Sequence, residues 1–318
     1  MPAVSIVIVC MNNLKNLYPC LNSIRQYTSI DYEVIVVAYL FSPENLAKVK
    51  IDFSWVKFIE SNEIRGFSEN NNLALRLARG KYCFIVNDDT EMKMPVIDLL
   101  VNTIECLPDD VGIVSPKFLC ADGSLQACGN TEKNRLSFFR SFYGLPQGKK
   151  QLQYINREGV FETKQILGAG FLIKTSLFAE IGFFDERYFF SPEDLEVGRQ
   201  IQRLGYKCYV NADVCLYHYE GMTTRSLSLV STATKPASVV GNIIFYANGS
   251  LFWAIVVRMH QFVGSFARFV YHGILSYKKG KENYHYVWAL GYFNATRACL
   301  SFKTPKEVFC KFYMKLFE

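Results

Sequence analysis

The run Tyr82-Cys83-Phe84-Ile85-Val86, followed at once by Asn87-Asp88-Asp89-Thr90-Glu91, decides how this chain is read. Five apolar residues end in two adjacent carboxylates. Such a run reads as a buried strand, and in open α/β sheets ligand sites gather just beyond the carboxyl ends of strands. Oxygen ligands placed there suit a hard divalent cation, and such a cation can hold a diphosphate. The competing reading is a turn in which an Asp or Thr90 caps the helix that follows.

On the N-terminal side, residues 4–9 and 33–37 are apolar, β-branched runs that read as buried strands, with a short third at 56–59. Helical spacing fills the stretch from Asn13 to Gln26 and residues 66–79, and Gly80 stops the second helix. On the C-terminal side the pattern breaks after residues 112–118. Residues 129–162 are polar, rich in Lys and Arg and poorly periodic, so they read as an insertion or flap. Order returns at 165–173, then in a short helix near 175–181, a helix over 193–204 stopped by Gly205, and two short strands at 206–210 and 214–217. Strands alternating with helices imply βαβ units and a largely parallel sheet. No internal repeat interrupts this order.

With 318 residues, half of them hydrophobic and 15% aromatic, the chain buries a large core and is no disordered segment. The net charge of +6 is unevenly spread: from Lys235 onward there are 11 Lys+Arg against 3 Asp+Glu, and before it 24 against 26. A basic, aromatic tail on a near-neutral body suggests an anionic surface as partner. Its best apolar window, 243–257, is shorter than the roughly 20 residues a bilayer span needs, and it contains Asn248 and Gly249. Amphipathic helices lying on a membrane or packing on the main domain are therefore expected. The ten cysteines form no CxxC pair, several sit in strand patterns, and no signal peptide precedes the strand at Val4, all of which suit a reducing cytoplasm.

Four segments carry chemistry: Val9-Cys10-Met11-Asn12; residues 62–72 (NEIRGFSENNN); Asn87-Asp88-Asp89-Thr90; and residues 168–221, from Gly168-Ala169-Gly170 to His218-Tyr219-Glu220-Gly221. Each has a plainer reading. Glu193-Asp194 opens a helix, where the macrodipole favours carboxylates. A His after an apolar strand is more often structural, Asn71 and Asn72 fit helix-start caps, and Gly168-Ala169-Gly170 lacks the third glycine of a dinucleotide motif.

Taken together and in order, Gly182-Phe183-Phe184-Asp185-Glu186, Phe189-Phe190, Glu193-Asp194 and the later His218-x-x-Gly221 resemble the bacterial family-two glycosyltransferases of GT-A fold. The likeness is to the rhamnosyl- and galactofuranosyltransferase-like subgroup; it covers roughly residues 3–225 and includes residues 112–126. It implies an α/β GT-A domain over residues 1–233, Rossmann-like with a mostly parallel central sheet, followed by amphipathic C-terminal helices over 234–318. The implied activity is inverting, metal-dependent transfer of a hexosyl group from a nucleotide-sugar (a UDP- or dTDP-sugar) to a hydroxyl of a glycan or lipid-linked acceptor. The implied setting is cell-surface polysaccharide assembly at the cytoplasmic face of the membrane, with peripheral membrane association. The cofactor would be a divalent cation, Mn2+ or Mg2+, stabilising the charge that builds on the leaving diphosphate. No nucleic acid partner is expected, and a homodimer is left open.

The resemblance also assigns residues. Asp194 becomes the general base, with Glu193 orienting the acceptor or the helix end. Asp89 and His218 become metal ligands. Asn87 takes the first position of the DxD-like element, and Asp88 faces solvent or the ribose. Cys10, Asn12, Arg65, Asn71 and Arg225 fall on the donor side, and Gly168, Gly170 and Asp185 on the acceptor side. One departure stands out. Relatives carry a base-reading Asp after the second strand, whereas here Val37 is followed by Ala38-Tyr39-Leu40-Phe41-Ser42. Base recognition is then altered, or supplied by Arg65 or by stacking on Tyr39. The rival reading is a catalytically inactive nucleotide-sugar-binding or scaffold protein. Leu204 after Gln202-Arg203, in place of Trp, argues against a processive synthase.

Overall fold

The computed structural model describes residues 1–142, 154, 157–219, 229–279 and 284–316. The chain begins β1 (Val4–Met11), α1 (Leu14–Tyr27), β2 (Tyr32–Tyr39), α2 (Pro43–Asp52), β3 (Lys57–Ser61), α3 (Phe67–Leu75), β4 (Tyr82–Val86), β5 (Thr90–Met92), α4 (Val96–Cys106) and β6 (Val111–Leu119). It continues with β7 (Leu125–Ala127), α5 (Arg135–Phe142), β8 (Val160–Thr163), β9 (Gly170–Lys174), α6 (Thr175–Glu180), α7 (Glu193–Arg203) and β10 (Lys207–His218). Four helices follow: α8 (Ser231–Ala247), α9 (Leu251–Lys279), α10 (Tyr284–Cys299) and α11 (Pro305–Met314).

One sheet runs in the order β3-β2-β1-β4-β9-β6-β10-β5, with β7 on β6 and β8 on β10. Its first four strands are parallel, β9 is antiparallel to both neighbours, and β10 returns parallel to β6. The apolar runs have no polar face because both sheet faces are covered, as parallel sheets require. Ile6, Ile8, Val34, Val36 and Phe84 pack on one side with Leu17, Leu21, Leu100 and Ile104 of α1 and α4. Val7, Ile35, Val37, Cys83 and Ile85 face the other side, with Leu75, Phe178, Val197 and Ile201 of α3, α6 and α7. The result is an α/β/α sandwich with a mixed, mostly parallel sheet.

Three local expectations change. The helix over 66–79 ends at Leu75: Leu77 and Ala78 make tight bonds three residues back, and the N–H groups of Arg79 and Gly80 turn to the Ser5 hydroxyl at 3.0 and 2.8 Å. The two strands at 206–210 and 214–217 are one strand, β10, with its register against β6 shifted between Asn211 and Cys215. The extra residues on the β10 side form a bulge, and the polar Asn211-Ala212-Asp213 there resemble a turn in the sequence, although buried and outward residues alternate without a break. Thr90 caps no helix; it pairs across the sheet with His218, and its hydroxyl donates to the Asn87 carbonyl at 2.8 Å.

The tail packs on the sandwich in two places. Phe309 and Phe312 of α11 join Phe189, Ala237 and Val240 in one apolar cluster, with Ile64 against it. Lys306 meets Glu69 at 2.7 Å. At the end of α8, three arginines of the main domain hold the free carbonyl end: Arg199 donates to Phe245 O at 2.8 Å, Arg135 to Tyr246 O at 2.8 Å and Ala247 O at 3.3 Å, and Arg203 to the Asn248 side chain at 2.7 Å. Cations at a helix C-terminus satisfy carbonyls that lack intrahelical partners and oppose the macrodipole. The expected boundary at 233/234 falls within the first turn of α8. In the 129–162 stretch, α5 lies against these helices, with Phe138 stacked on Tyr246 at 4.1 Å.

Candidate active site

The carboxyl end of β4 and the end of β10 meet because β5 doubles back. Thr90 pairs with His218, and the Tyr219 N–H donates to Asp89 O at 2.9 Å. This brings Asp89 Oδ1 to 3.2 Å from His218 Nε2, with both side chains about 10% exposed. The Asn87 amide nitrogen lies 3.5 Å from the same Nε2. On the other side of the ring, Nδ1 is 3.0 Å from Gln126 Oε1 on β7. An amide oxygen only accepts, so Nδ1 carries a proton, and in the neutral ring Nε2 presents a lone pair toward Asp89. Two acceptors facing each other at that distance call for a cation between or beside them. Asp89 and His218 therefore fit a divalent ion as two of its ligands, with Gln126 orienting the ring from behind. Among the described residues no group of three His, Cys, Asp or Glu forms a ligand set.

Asp88 was expected to face solvent or the ribose, and it is only partly exposed. Its carboxyl is partly buried against the Cys10 thiol, and burial, with the charge of Asp89 adding to it, pushes it up to about 7. The Cys10 thiol, buried and beside that carboxyl, is raised well above its ordinary value. Cys20, below them, is pushed up to about 12 by burial.

Across the site, Glu193 and Asp194 open α7. Asp194 Oδ1 accepts from the Leu195 N–H at 2.8 Å, and Oδ2 accepts from the Gly168 N–H at 3.1 Å. A Cβ on Gly168 would stand 3.2 Å from Asp194 Cβ, so a side chain there would press directly on the carboxylate's stem. Burial raises the Asp194 carboxyl, and the backbone donors of Leu195 and Gly168 oppose that rise. Glu193 has no such help. Its Oε2 is buried without a hydrogen-bond partner, and burial, then the neighbouring Asp194, pushes it up to about 8. Behind them, buried Glu196 accepts from the Tyr188 hydroxyl at 3.0 Å and from Arg199 and Gln200, which fixes the helix.

The two carboxylate pairs are joined by one segment. β9 pairs with β4 as far as Val86 and Gly170, and just beyond, the Asn87 N–H donates to Ala169 O at 3.0 Å. Gly168, one residue back, holds Asp194. The 168–170 strand end is thus bonded on one side to the Asn87-Asp88-Asp89 motif and on the other to the head of α7.

Residues 5–127 match the model of glycosyl transferase family 2. Over that stretch the chain is similar to family 2 glycosyltransferases. Of curated proteins, it resembles the O-antigen biosynthesis protein RfbC of Myxococcus xanthus, 26% identical over 157 residues. That alignment takes in 49% of this chain and 12% of the relative, so the chain spans about an eighth of the protein it matches. Two solved structures share the fold. GalNAc-T7 with UDP, GalNAc and Mn2+ matches at TM-score 0.54 and 17% identity, covering 72% of this chain and 46% of that one. The mannosyltransferase PcManGT from Pyrobaculum calidifontis, in complex with GDP-Man and Mn2+, matches at TM-score 0.51 and 15% identity, covering 99% and 86%. The fold is therefore GT-A, with C-terminal helices added.

Within this site, the expected residues divide by what they touch. Asp89, His218 and Asn87 converge, and Asp194 sits with Glu193 and Gly168. Cys10 lies beside Asp88. Asn12, in the left-handed region at φ 49°, spends its amide oxygen on the Ser42 N–H at 3.2 Å and the Asn45 amide at 2.9 Å, tying the end of β1 to the start of α2. Arg65 bonds Ser61 at 3.2 Å and Glu63 at 2.7 Å, and its N–H reaches the Tyr39 hydroxyl at 3.3 Å. Asn71 is buried, and its amide donates to Phe67 O at 2.9 Å, so it caps no helix start. Its neighbour Asn72 clamps the Phe184 backbone through both amide atoms, at 2.9 and 3.1 Å. Gly170 packs on Leu216 and Phe118 inside the sheet, where a Cβ would meet Leu216 at 2.8 Å, so its smallness serves packing and leaves no room for sugar. Asp185 is held by Arg187 through paired bonds of 2.6 to 3.0 Å. Arg225, Glu220 and Gly221 lie outside the described residues. Gln126, Glu196 and Tyr188 gained no role from the sequence. Only the Gly123-Ser124-Leu125-Gln126 ending of residues 112–126 could have drawn attention to Gln126.

Proposed function

We propose that this chain transfers a sugar, with inversion, from a nucleoside diphosphate donor to a hydroxyl of a lipid-linked glycan during surface polysaccharide assembly. The observation that carries the reading is the 168–170 strand end, bonded on one side to the Asp89 motif and on the other to Asp194. A donor held at the Asp89–His218 side would offer its anomeric carbon toward Asp194. Asp194 takes the proton of the acceptor hydroxyl while that oxygen forms a bond to the anomeric carbon. The bond to the diphosphate breaks on the opposite face, and the electron pair leaves with the diphosphate. The two backbone donors on Asp194 hold its oxygens in place and keep it able to ionise in a buried setting. A divalent cation on Asp89 and His218 would offset the charge on the leaving group.

Mn2+ accompanies nucleotide or nucleotide-sugar in both structural relatives, and an O-antigen biosynthesis protein is the curated relative, which supports the class of donor and the setting. All ten cysteines are free, which suits the cytoplasmic side of a membrane. The wall at Ala38, Tyr39 and Phe41 is buried and lacks an acid. That favours an altered base preference, and it is also the feature that keeps a binding-only protein as second reading.

One experiment separates the two. UDP-, dTDP- and GDP-sugars with Mn2+ or Mg2+ are screened by thermal shift, then for transfer to lipid-linked acceptors. Wild type should bind and transfer, and Asp89→Ala should lower both by about 100-fold or more. Binding without turnover on any acceptor would leave the scaffold reading. Transfer untouched by EDTA would remove the cation.

A further inference from the structure

The helix α9 has its polarity reversed. Ten large apolar side chains along its 29 residues are exposed, from Leu251 at 77% to Tyr277 at 93%. Leu251, Ile255, Met259, Phe266, Val270 and Ile274 recur at helical spacing and form a stripe on one side, about 35 Å long. Its polar residues point inward: Gln261, Ser265, His272 and Ser276 are all buried against the bundle. Its two arginines leave the stripe as well. Arg258 donates to Cys299 O and Ser301 O at 3.1 and 2.6 Å, and Arg268 lies 5.8 Å from the Tyr292 ring. A contiguous charge-free apolar face of this length is rarely left to water.

We propose that this outer face of α9 docks in the headgroup region of an anionic phospholipid bilayer, lying parallel to the membrane plane. Charge favours lipid over a protein partner. No carboxylate occurs anywhere from Gly221 to Lys281, and in the sequence the stripe is followed by Lys278-Lys279-Gly280-Lys281. Tyr271, Tyr277 and Phe252 supply aromatic rings at its edge and ends, as interfacial segments do. No helix among the described residues is long and apolar enough to cross a membrane, which leaves the in-plane orientation. The basic, aromatic tail does not act as one body in this. α11 and α8 are committed to the sandwich, so the lipid contact belongs to α9. The elbow at Asn248 and Gly249, both with positive φ, turns the chain out of α8, whose end is held by Arg199 and Arg203 of α7. The docked helix is thereby fixed to the helix that begins with Asp194. That last step, delivery of a membrane-borne acceptor to Asp194, rests on the transferase reading; the docking does not.

Vesicle flotation of the full chain tests it. Wild type should float with phosphatidylcholine vesicles containing phosphatidylglycerol and less with phosphatidylcholine alone. Ile255→Glu/Met259→Glu/Phe266→Glu should cut the floating fraction at least about 10-fold, while its thermal shift with nucleotide and Mn2+ stays as in wild type. Wild type that floats with neither vesicle, or a triple variant that floats as well as wild type, overturns the proposal. So does a wild-type dimer in lipid-free buffer that the triple variant turns into monomer, since the stripe would then join two copies. Asp89→Ala should float normally whether or not it binds nucleotide, which keeps failure of the face apart from failure of the site.

Discussion

Two pairs of adjacent carboxylates line this site, and the chain treats them alike in one respect and unlike in another. In each pair one member faces a defined neighbour: Asp89 the His218 ring, 3.2 Å away, and Asp194 two backbone N–H donors. In both, burial pushes the other member up, Asp88 to about 7 and Glu193 to about 8. Two neighbouring carboxyls in a low-dielectric setting resist ionising together, so a partner for one leaves its neighbour protonated. The difference lies in the partner. A histidine lone pair invites a cation, and the strand-end pair would supply two ligands to one. Peptide N–H groups offer nothing a metal would want and leave the helix-end pair free to accept a proton.

The largest effect should come from the helix-end pair. Asp194→Asn keeps the shape but cannot take the proton, and transfer should fall about 10²- to 10⁴-fold with nucleotide binding intact. Near-normal turnover would break the division of labour. A smaller effect should come from behind the histidine. Gln126→Ala frees the imidazole to turn, and apparent Mn2+ affinity, read from binding or from the metal dependence of transfer, should drop about 10- to 100-fold. Unchanged affinity would mean that the ring needs no orienting partner.

The smallest effect concerns Glu193 and is one of stability. Its folded pKa of about 8 lies above the ordinary 4.5, so between these values the folded chain keeps a proton that the unfolded chain has lost. Wild-type stability is then highest below the window, falls as pH rises through it and levels off above about 8. Glu193→Gln removes that slope. Its advantage over wild type should grow from near zero at pH 4 to about 1–3 kcal/mol at pH 9, measured by denaturant unfolding. A difference that does not change with pH would show that Glu193 is not held neutral.

The sheet was legible because its strands are buried on both faces and so appear as unbroken apolar runs. β10 was legible only as two pieces, because the polar Asn211-Ala212-Asp213 in its middle resembles a turn although the burial alternation runs through it. In the site, Asp89, His218 and Asp194 stood out through order and spacing of motifs. The groups that position them did not. Gln126 is 92 residues from His218, and Gly168 is 26 from Asp194. Only the pairing of β5, β7 and β9 brings them together. Gly170, assigned to the acceptor side by resemblance, shows another limit: the space a side chain would take there is filled by Leu216.

The grip of Arg135, Arg199 and Arg203 on the end of α8 has an evolutionary consequence. Most of what these arginines hold is main chain, and any sequence that ends a helix there presents the same carbonyls. The tail can therefore diverge widely in sequence and still dock, whereas the arginines on the sandwich side have no such freedom. Inheritance in this molecule is lopsided: the helices can be rewritten, provided the surface that receives them is not.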